Sequence, residues 1–289
     1  MSIGYSPGTD TSFPERWAAV CCGAPRGATR EIFNSELSIN DGHLQREIDA
    51  RTSKHLMKSF PQGGLAVVIG ACGGIGKALV HALERSTTFA ATIGFSRSSG
   101  PALDLHNESN IAACAEHVAR AGVPRLILDA TGVLHSMQLQ PEKRWRELDA
   151  MQMTEAFAIN AIGPALLMKH FLPLLPRDGK SAFATLSARV GSIGDNRLGG
   201  WYSYRASKAA LNQFVRTAAV ELKYRQPEAI CVALHPGTVH TPLSLPFSKG
   251  GLDVQSPEVA AERLLAVIDQ LRPHDSGGFF DQRGDSVPW

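Results

Sequence analysis

The stretch LAVVIGACGGIGKALVHALERS, residues 65–86, decides the fold. Its opening LAVVIG is a short apolar run, which is typical of a strand buried on both faces of a parallel sheet. The glycine-rich segment GACGGIG follows at 70–76, and KALVHALERS then shows helical spacing of apolar residues. Gly70, Gly74 and Gly76 therefore lie at a predicted strand-to-helix turn, where the backbone can approach a phosphate at a helix N-terminus. The pattern predicts a dinucleotide site, although the spacing is Gly-x-x-x-Gly-x-Gly rather than Gly-x-Gly-x-x-Gly.

The alternation of strands and helices continues to the end of the chain. Further strands are predicted at 89–96, 125–132, 181–187, 229–237 and 277–281. Further helices are predicted at 110–122, 148–175, 201–222 and 257–271. Strands alternating with helices imply right-handed crossovers, so we expect an α/β protein with a doubly wound parallel sheet of the Rossmann type.

The N-terminal part differs in composition. Residues 1–62 are rich in Gly, Pro, Ser and Thr, and we expect an extension that is poorly ordered. Residues 63–289 are expected to form one domain. Because Met57 stands just before the first predicted strand, one hypothesis is that translation begins there.

Charge and composition exclude several classes of protein. The net charge is +2 and there is no dense Lys/Arg block, so we expect no nucleic-acid partner. The longest apolar run of note is LAVVIGAC at 65–72, so we expect no membrane span. The five cysteines are odd in number and scattered, which fits a reducing compartment and a cytoplasmic location. The histidines lack metal-ligand spacing, so no metal site is expected.

The second predicted strand bears on the choice of cofactor. A dinucleotide fold that prefers NAD usually carries Asp or Glu about 20 residues past the glycines, where the carboxylate binds the ribose 2′-hydroxyl. This chain has FSRSS at 95–99 and no carboxylate there. Arg97 can form a forked contact with a 2′-phosphate, and neighbouring hydroxyls can donate to it. The sequence therefore favours NADP(H) over NAD(H).

A Tyr-x-x-x-Lys pair begins the long helix predicted at 201–222. Tyr204 and Lys208 are four residues apart, so both side chains lie on one helix face. An ammonium beside a phenol stabilises the phenolate and lowers the pKa of the tyrosine from about 10. Such a tyrosine can give or take a proton at an alcohol or carbonyl oxygen.

Together these motifs resemble the short-chain dehydrogenase/reductase family, from about Leu65 to the C-terminus. Ile69 stands where that family usually has Thr. The resemblance implies catalytic roles for Tyr204 and Lys208, and NADP(H) binding by a larger set. That set is Gly70, Gly74, Ile75, Gly76, Arg97, Asp104, Leu105, Ala130, Gly132, Tyr204, Lys208, Pro236, Gly237, Val239 and Thr241.

Two further segments carry the resemblance. Asp129-Ala130-Thr131-Gly132 resembles the Asn-Asn-Ala-Gly segment of the family, with both asparagines replaced. Asn160 matches the helix asparagine that holds a water in the proton relay to Lys. The alternative is an asparagine that hydrogen-bonds to its own helix backbone.

The family serine is displaced. In most of the family a serine three residues before a glycine polarises the substrate carbonyl, but Ala188 holds that position before Gly191. Ser187 is one place earlier, and a shift of one residue along a strand turns a side chain to the other face. Ser192, just after the glycine, is the competitor. We favour Ser187.

The details VGSIGDNRLGGWYSYRASKAALN and GGFFDQRGDSVPW are most similar to Sniffer-type carbonyl reductases and bacterial C-signal relatives. We expect an NADP(H)-dependent oxidoreductase acting on a small carbonyl or alcohol, with Tyr204 as general acid/base. The alternative is a dinucleotide-sensing or signalling protein with a degenerate site. The helices around 151–175 and 202–222 could form a homo-oligomer interface, as the resemblance implies. The sequence does not identify the substrate.

Overall fold

The computed structural model describes residues 57–137, 139–247 and 254–289. Six parallel strands form one sheet in the order β2-β1-β3-β4-β5-β8, and β6 and β7 form a separate parallel pair. The strands are β1 Leu65–Ile69, β2 Ala91–Phe95, β3 Pro124–Asp129, β4 Ser181–Leu186, β5 Ala229–His235, β6 Thr238–Val239, β7 Val254–Gln255 and β8 Phe279–Asp281. The strand order reverses at β1, which places a ligand-binding crevice at the carboxyl ends of β1 and β3. The predicted doubly wound parallel sheet is confirmed.

Helices cover both faces of the sheet. They are α1 Gly74–Glu84, α2 Glu108–Ala121, α3 Ala150–Phe157, α4 Gly163–Phe171, α5 Tyr202–Arg225 and α6 Pro257–Gln270. Buried residues of α2, α4 and α5 pack on one face, and those of α1 and α6 pack on the other. All five residues of β1 are buried, with Val67 facing the first group and Val68 the second. This two-sided burial explains why the run that begins at Leu65 has no polar alternation.

The helix predicted over 148–175 is interrupted in the structure. Between α3 and α4 lies a π turn, Ala158–Ile162, in which the Gly163 N–H donates to Ala158 O, five residues back. Pro164 follows in the first turn of α4 and has no N–H to continue the ordinary ladder. The wider turn carries Asn160, so the interruption shapes a predicted site residue.

The same region is apolar enough to be compared with a membrane-spanning helix. By length and composition, Ala150–Leu174 meets a criterion for a membrane-spanning helix, with a mean hydropathy of 1.3. The prediction of no membrane span rests on uninterrupted apolar runs, and polar residues interrupt this region. Core helices of soluble proteins meet the same criterion.

Residues 57–62, which we assigned to the N-terminal extension, pack against the domain. Met57 and Phe60 are buried, and the Phe60 ring meets Phe89 edge to face at 5.8 Å between centroids. The Lys180 Nζ lies 4.8 Å from the centroid of the Phe60 ring. The prediction for residues 1–56 lies outside the described residues.

Lys180 ties this segment to the end of α6. Its Nζ donates to Ser59 Oγ (2.7 Å) and to three carbonyls at the end of α6, at 2.7–2.9 Å. An ammonium favours the negative end of a helix and pairs carbonyls that would otherwise be left without donors. We expect Lys180→Met to lower the free energy of unfolding by about 2 kcal/mol.

Urea denaturation of the wild type and two variants measures this effect. The matched control is Lys169→Met, because Lys169 is 62% exposed in an ion pair with Glu108 and should contribute less than about 1 kcal/mol. Equal losses in the two variants would contradict the capping role of Lys180.

Candidate active site

The glycine-rich turn is held against β2. The N–H groups of Gly70 and Ala71 both donate to Phe95 O at 2.9 Å, and Gly70 has φ +83°. A Cβ on Gly76 would lie 2.1 Å from Gly70 O, and one on Gly74 would lie 2.7 Å from Thr241 Cγ2. The first turn of α1 contains no acidic residue. The turn thus offers a tight backbone cradle at a helix N-terminus, which fits a pyrophosphate group.

The residues that would select the cofactor follow β2 directly. Arg97 is exposed. It lies two residues past Phe95, whose carbonyl accepts the hydrogen bonds from the glycine-rich turn. The hydroxyls of Ser96 and Ser98 on either side of it are 3.1 Å apart. The guanidinium and hydroxyls fit an additional phosphate on a ribose.

Asp104 and Leu105 lie where this loop meets α4. The Asp104 carboxylate accepts a hydrogen bond from the His106 N–H (3.0 Å). A Cβ on Gly163 would lie 2.8 Å from Leu105 Cβ. The absence of a side chain at Gly163 therefore lets Leu105 sit against the start of α4.

Asn160 joins the π turn to the loop after β3. Its Oδ1 accepts from Val133 N and its Nδ2 donates to Val133 O, both at 2.8 Å, and Nδ2 also reaches Ser207 Oγ at 3.2 Å. A Cβ on Gly132 would lie 3.4 Å from both Asn160 Oδ1 and Lys208 Nζ. These bonds leave its own helix, so the alternative of a purely local asparagine is wrong. Asn160, Gly132 and Lys208 therefore meet at one point.

Lys208 is buried at that point. Its side chain is 2% exposed and its Nζ donates to Leu186 O at 2.8 Å. Burial lowers the pKa of Lys208 to about 8, and the charge of Asp129 opposes that shift. Tyr204 lies one turn earlier on α5, and its ring meets Trp201 edge to face at 6.2 Å. The lowered pKa of Tyr204 stays a prediction.

A carboxylate that sequence reasoning missed closes the start of α5. Glu142 is 3% exposed, and its carboxylate accepts hydrogen bonds from Ser203 N (3.1 Å) and from the Ser203 hydroxyl. The Trp201 N–H donates to the Glu142 backbone carbonyl, and Trp201 has φ +50°. A carboxylate at a helix N-terminus pairs free N–H groups and favours the helix dipole. No local signal revealed this cap, because the residues are 61 positions apart.

The two serines considered for the carbonyl-polarising role have other partners in the structure. The Ser187 hydroxyl is buried and donates to Asn212 Oδ1 on α5 at 2.7 Å. The Ser187 N–H continues the ladder to Leu234 O, so Ser187 faces α5 as the strand alternation dictates. Ser192 is also buried, and its Oγ accepts from Asp195 N at 3.1 Å. The role of Ser187 stays a prediction.

The segment after β5 turns over the carboxyl edge of the sheet. Gly237 has φ +79°, and the short β6–β7 pair follows it. The Thr241 N–H donates to Ser244 Oγ at 3.1 Å. Pro242 O lies 3.1 Å from His135 Nε2 in the loop after β3. This contact bridges the two loops that flank the crevice.

Apart from Tyr204 and Lys208 on α5, the predicted cofactor residues follow the carboxyl ends of strands. They are Gly70, Gly74, Ile75 and Gly76 after β1, Arg97, Asp104 and Leu105 after β2, Ala130 and Gly132 after β3, and Pro236, Gly237, Val239 and Thr241 after β5. The helices supply Asn160, Tyr204 and Lys208. Within the described ranges, no group of three or more His, Cys, Asp or Glu side chains could hold a metal ion.

Comparisons with known proteins agree with this arrangement. The family model for short chain dehydrogenase matches residues 64–250. The C-signal protein of Myxococcus xanthus is 41% identical over 145 residues, which cover 50% of this chain and 82% of that protein. The structure of NADPH-bound carbonyl reductase from chicken fatty liver superposes with a TM-score of 0.68 and 25% identity, over 79% of this chain and 100% of that one. Carbonyl reductase Sniffer of D. melanogaster has a TM-score of 0.67 and 22% identity, over the same shares of each chain, and this likeness concerns the fold alone.

The family model covers well over half of the chain, and its match spans the glycine-rich turn, Asn160 and the Tyr204–Lys208 pair. The protein therefore belongs to the short-chain dehydrogenase/reductase family.

Proposed function

We propose that the protein is an NADP(H)-dependent oxidoreductase that interconverts a carbonyl compound and a secondary alcohol. The observation that carries this proposal is the convergence of Asn160, Gly132 and the Lys208 ammonium beside the glycine-rich turn. Tyr204 lies one helical turn from that ammonium. The cofactor, when bound, supplies or accepts the hydride.

The chain's own residues would hold the cofactor at three of its groups. The N–H groups at the start of α1 favour the pyrophosphate, and Arg97 with its neighbouring hydroxyls favours the 2′-phosphate. The NADPH present in the chicken carbonyl reductase structure supports the same choice of cofactor. Lys208 would contact the nicotinamide ribose.

Proton transfer is assigned to Tyr204. In the direction of reduction, its phenol donates a proton to the developing alkoxide, and the nearby Lys208 cation favours the phenolate that remains. Asn160, held by Val133, would keep a water in contact with Lys208. A hydroxyl that donates to the carbonyl oxygen would stabilise the same charge, and Ser187 remains our candidate for that role.

The test is oxidation of NADPH by the purified protein with aldehydes, ketones and diketones, followed at 340 nm with NADH run in parallel. We expect turnover with NADPH for part of this panel. Cofactor binding without turnover across the panel would favour the second candidate, a dinucleotide-sensing protein. That candidate draws support from Ala188 at the family serine position and from the Ser187 hydroxyl being bound to Asn212.

Replacing Arg97 tests the choice of cofactor. We expect Arg97→Ala to raise the Kd of NADPH about tenfold and to change that of NADH little, because charged hydrogen bonds to the 2′-phosphate are lost. Fluorescence titration of both nucleotides measures the two constants. The control is Arg120→Ala, an exposed arginine that pairs with Glu116 on α2. Equal weakening of NADPH and NADH in Arg97→Ala would contradict the assignment.

Homo-oligomer formation through α3, α4 and α5 is also a proposal. Apolar side chains are exposed on α3, on the π turn that leads into α4 and on α5, namely Met151, Ile162, Phe214 and Val220. Such side chains are typical of an isologous helix–helix interface. Light scattering coupled to gel filtration measures the mass in solution.

A further inference from the structure

Asp129 is a buried carboxylate at the carboxyl end of β3. It is 1% exposed and accepts hydrogen bonds from Thr131 N (3.0 Å), Thr131 Oγ1 (2.5 Å) and Thr185 Oγ1 (2.6 Å). Three donors to one carboxyl group favour its ionised form, because each bond is stronger to an anion. The family segment that Asp129–Gly132 resembles has an asparagine at this position, and an amide has no charge.

The Lys208 ammonium is close to this carboxylate in the fold. Asp129 pairs in register with Thr185 on β4, and the next residue, Leu186, accepts the hydrogen bond from Lys208 Nζ. The turn after Asp129 also approaches the ammonium, since a Cβ on Gly132 would lie 3.4 Å from Nζ. The anion and the cation therefore contact the same short stretch of β4 from neighbouring positions.

Other charged groups on the surrounding elements have different partners. Arg189, in the turn that packs against Lys208, pairs with Asp195 at 3.0 Å. Arg205 on α5 donates to Gly200 O and Val190 O. The titratable groups on the elements around Lys208 also include Tyr204 on α5 and His235 on β5.

We propose that Asp129 is a positioning residue that keeps Lys208 charged at neutral pH, so that the ammonium is available to Tyr204 and to the cofactor ribose. The effect of Asp129 on turnover rests on the proposed function. The electrostatic interaction between the two charges does not, because it concerns the protein alone.

The charge of Asp129 acts on the pKa of Lys208 in the direction that this role requires. Burial lowers the pKa of Lys208 from its ordinary value to about 8, and Asp129 is the charge that raises it. Burial raises the pKa of Asp129 above its ordinary value on balance, although the Thr131 and Thr185 hydroxyls, the Thr131 N–H and Lys208 each lower it. Removing the anion leaves burial unopposed, so the pKa of Lys208 must fall below about 8 and a larger share becomes neutral near pH 7.

The direct test is a titration of Lys208 without cofactor. Protein labelled with ¹³C at lysine Cε is followed by NMR against pH, with Lys208→Met assigning the resonance. We expect Asp129→Asn, which keeps the size of the side chain, to lower the pKa of Lys208 by roughly one unit or more. The matched control is Asp281→Asn, another buried carboxylate at a strand end, which accepts hydrogen bonds from the N–H groups of Arg283 and Asp285. It should leave the Lys208 titration unchanged.

The second measurement is the pH profile of kcat for carbonyl reduction. The alkaline limb should move to lower pH in Asp129→Asn and stay in place in Asp281→Asn, whereas a purely structural role would lower activity at every pH alike. Should Asp129→Asn not fold, Thr185→Val keeps the carboxylate but removes one donor, and a smaller shift in the same direction is expected. An unchanged Lys208 titration in the folded variant overturns the proposal. If the Lys208 titration shifts but the protein has no turnover, the interaction between Asp129 and Lys208 is supported and the proposed function is contradicted.

Discussion

Replacing Tyr204 by phenylalanine is expected to lower kcat for carbonyl reduction by a factor of about 10² or more. The ring and its contact with Trp201 remain, but the hydroxyl that would protonate the alkoxide is lost. The affinity for NADPH should change little, because the glycine-rich turn and Lys208 are intact. Steady-state kinetics with the best carbonyl substrate and fluorescence titration of NADPH separate the two effects.

The same helix offers a matched control. Tyr202 begins α5 two residues earlier and is partly exposed. Tyr202→Phe removes an equivalent hydroxyl, and we expect kcat to stay near that of the wild type. A Tyr204→Phe variant as active as the control would refute the role of Tyr204 as general acid.

Replacing Gly76 by alanine is expected to weaken NADPH binding by a factor of roughly 10 to 100. The added methyl group would lie 2.1 Å from Gly70 O and 2.8 Å from the Gly70 carbonyl carbon. Both atoms belong to the backbone of the turn, so the turn itself must open. Isothermal titration with NADPH measures the loss of affinity. Thermal unfolding without ligand measures how far the substitution also destabilises the folded protein.

Gly73→Ala is the control for this substitution. A Cβ on Gly73 would meet only Gly70 O, at 3.3 Å, which a small adjustment relieves. We expect its NADPH affinity to remain within a few-fold of the wild type. Similar losses in both variants would mean that the close approach at Gly76 is not what shapes the site.

The fold was predictable because its signals are local. Leu65 begins an uninterrupted apolar run, and two-sided burial in a parallel sheet requires such a run. The glycines after it must follow the strand directly for the turn to form, and their spacing is visible in sequence. The long helix at 201–222 was predicted within a few residues of Tyr202–Arg225, because Leu211, Val215 and Leu222 form its buried stripe.

Interruptions that depend on geometry were less visible. The region 148–175 was predicted as one helix, since its apolar spacing continues through the π turn. Pro164 was a local sign of a break in the helix. The contact of Asn160 with Val133 had no local sign, because the two residues are distant in sequence. The short β6–β7 pair was also missed, because two-residue strands carry no periodicity.

The candidate site was predictable where a motif carried it. The structure brings Asn160, Gly132 and Lys208 together, and their roles stay predictions. The partners of Asp129 and Glu142 could not be read from the sequence, because Thr185 and Ser203 reach them only in the folded chain. The serine role and the cytoplasmic location stay predictions.

The cap on α5 has a consequence for protein engineering. A designer who transplanted residues 201–222 into another scaffold would carry over Tyr204 and Lys208 but leave Glu142 behind. The Ser203 N–H in the first turn of the graft would then lack its carboxylate partner. A transplanted helix that keeps this cap must be accompanied by the loop around Glu142 as a separate segment.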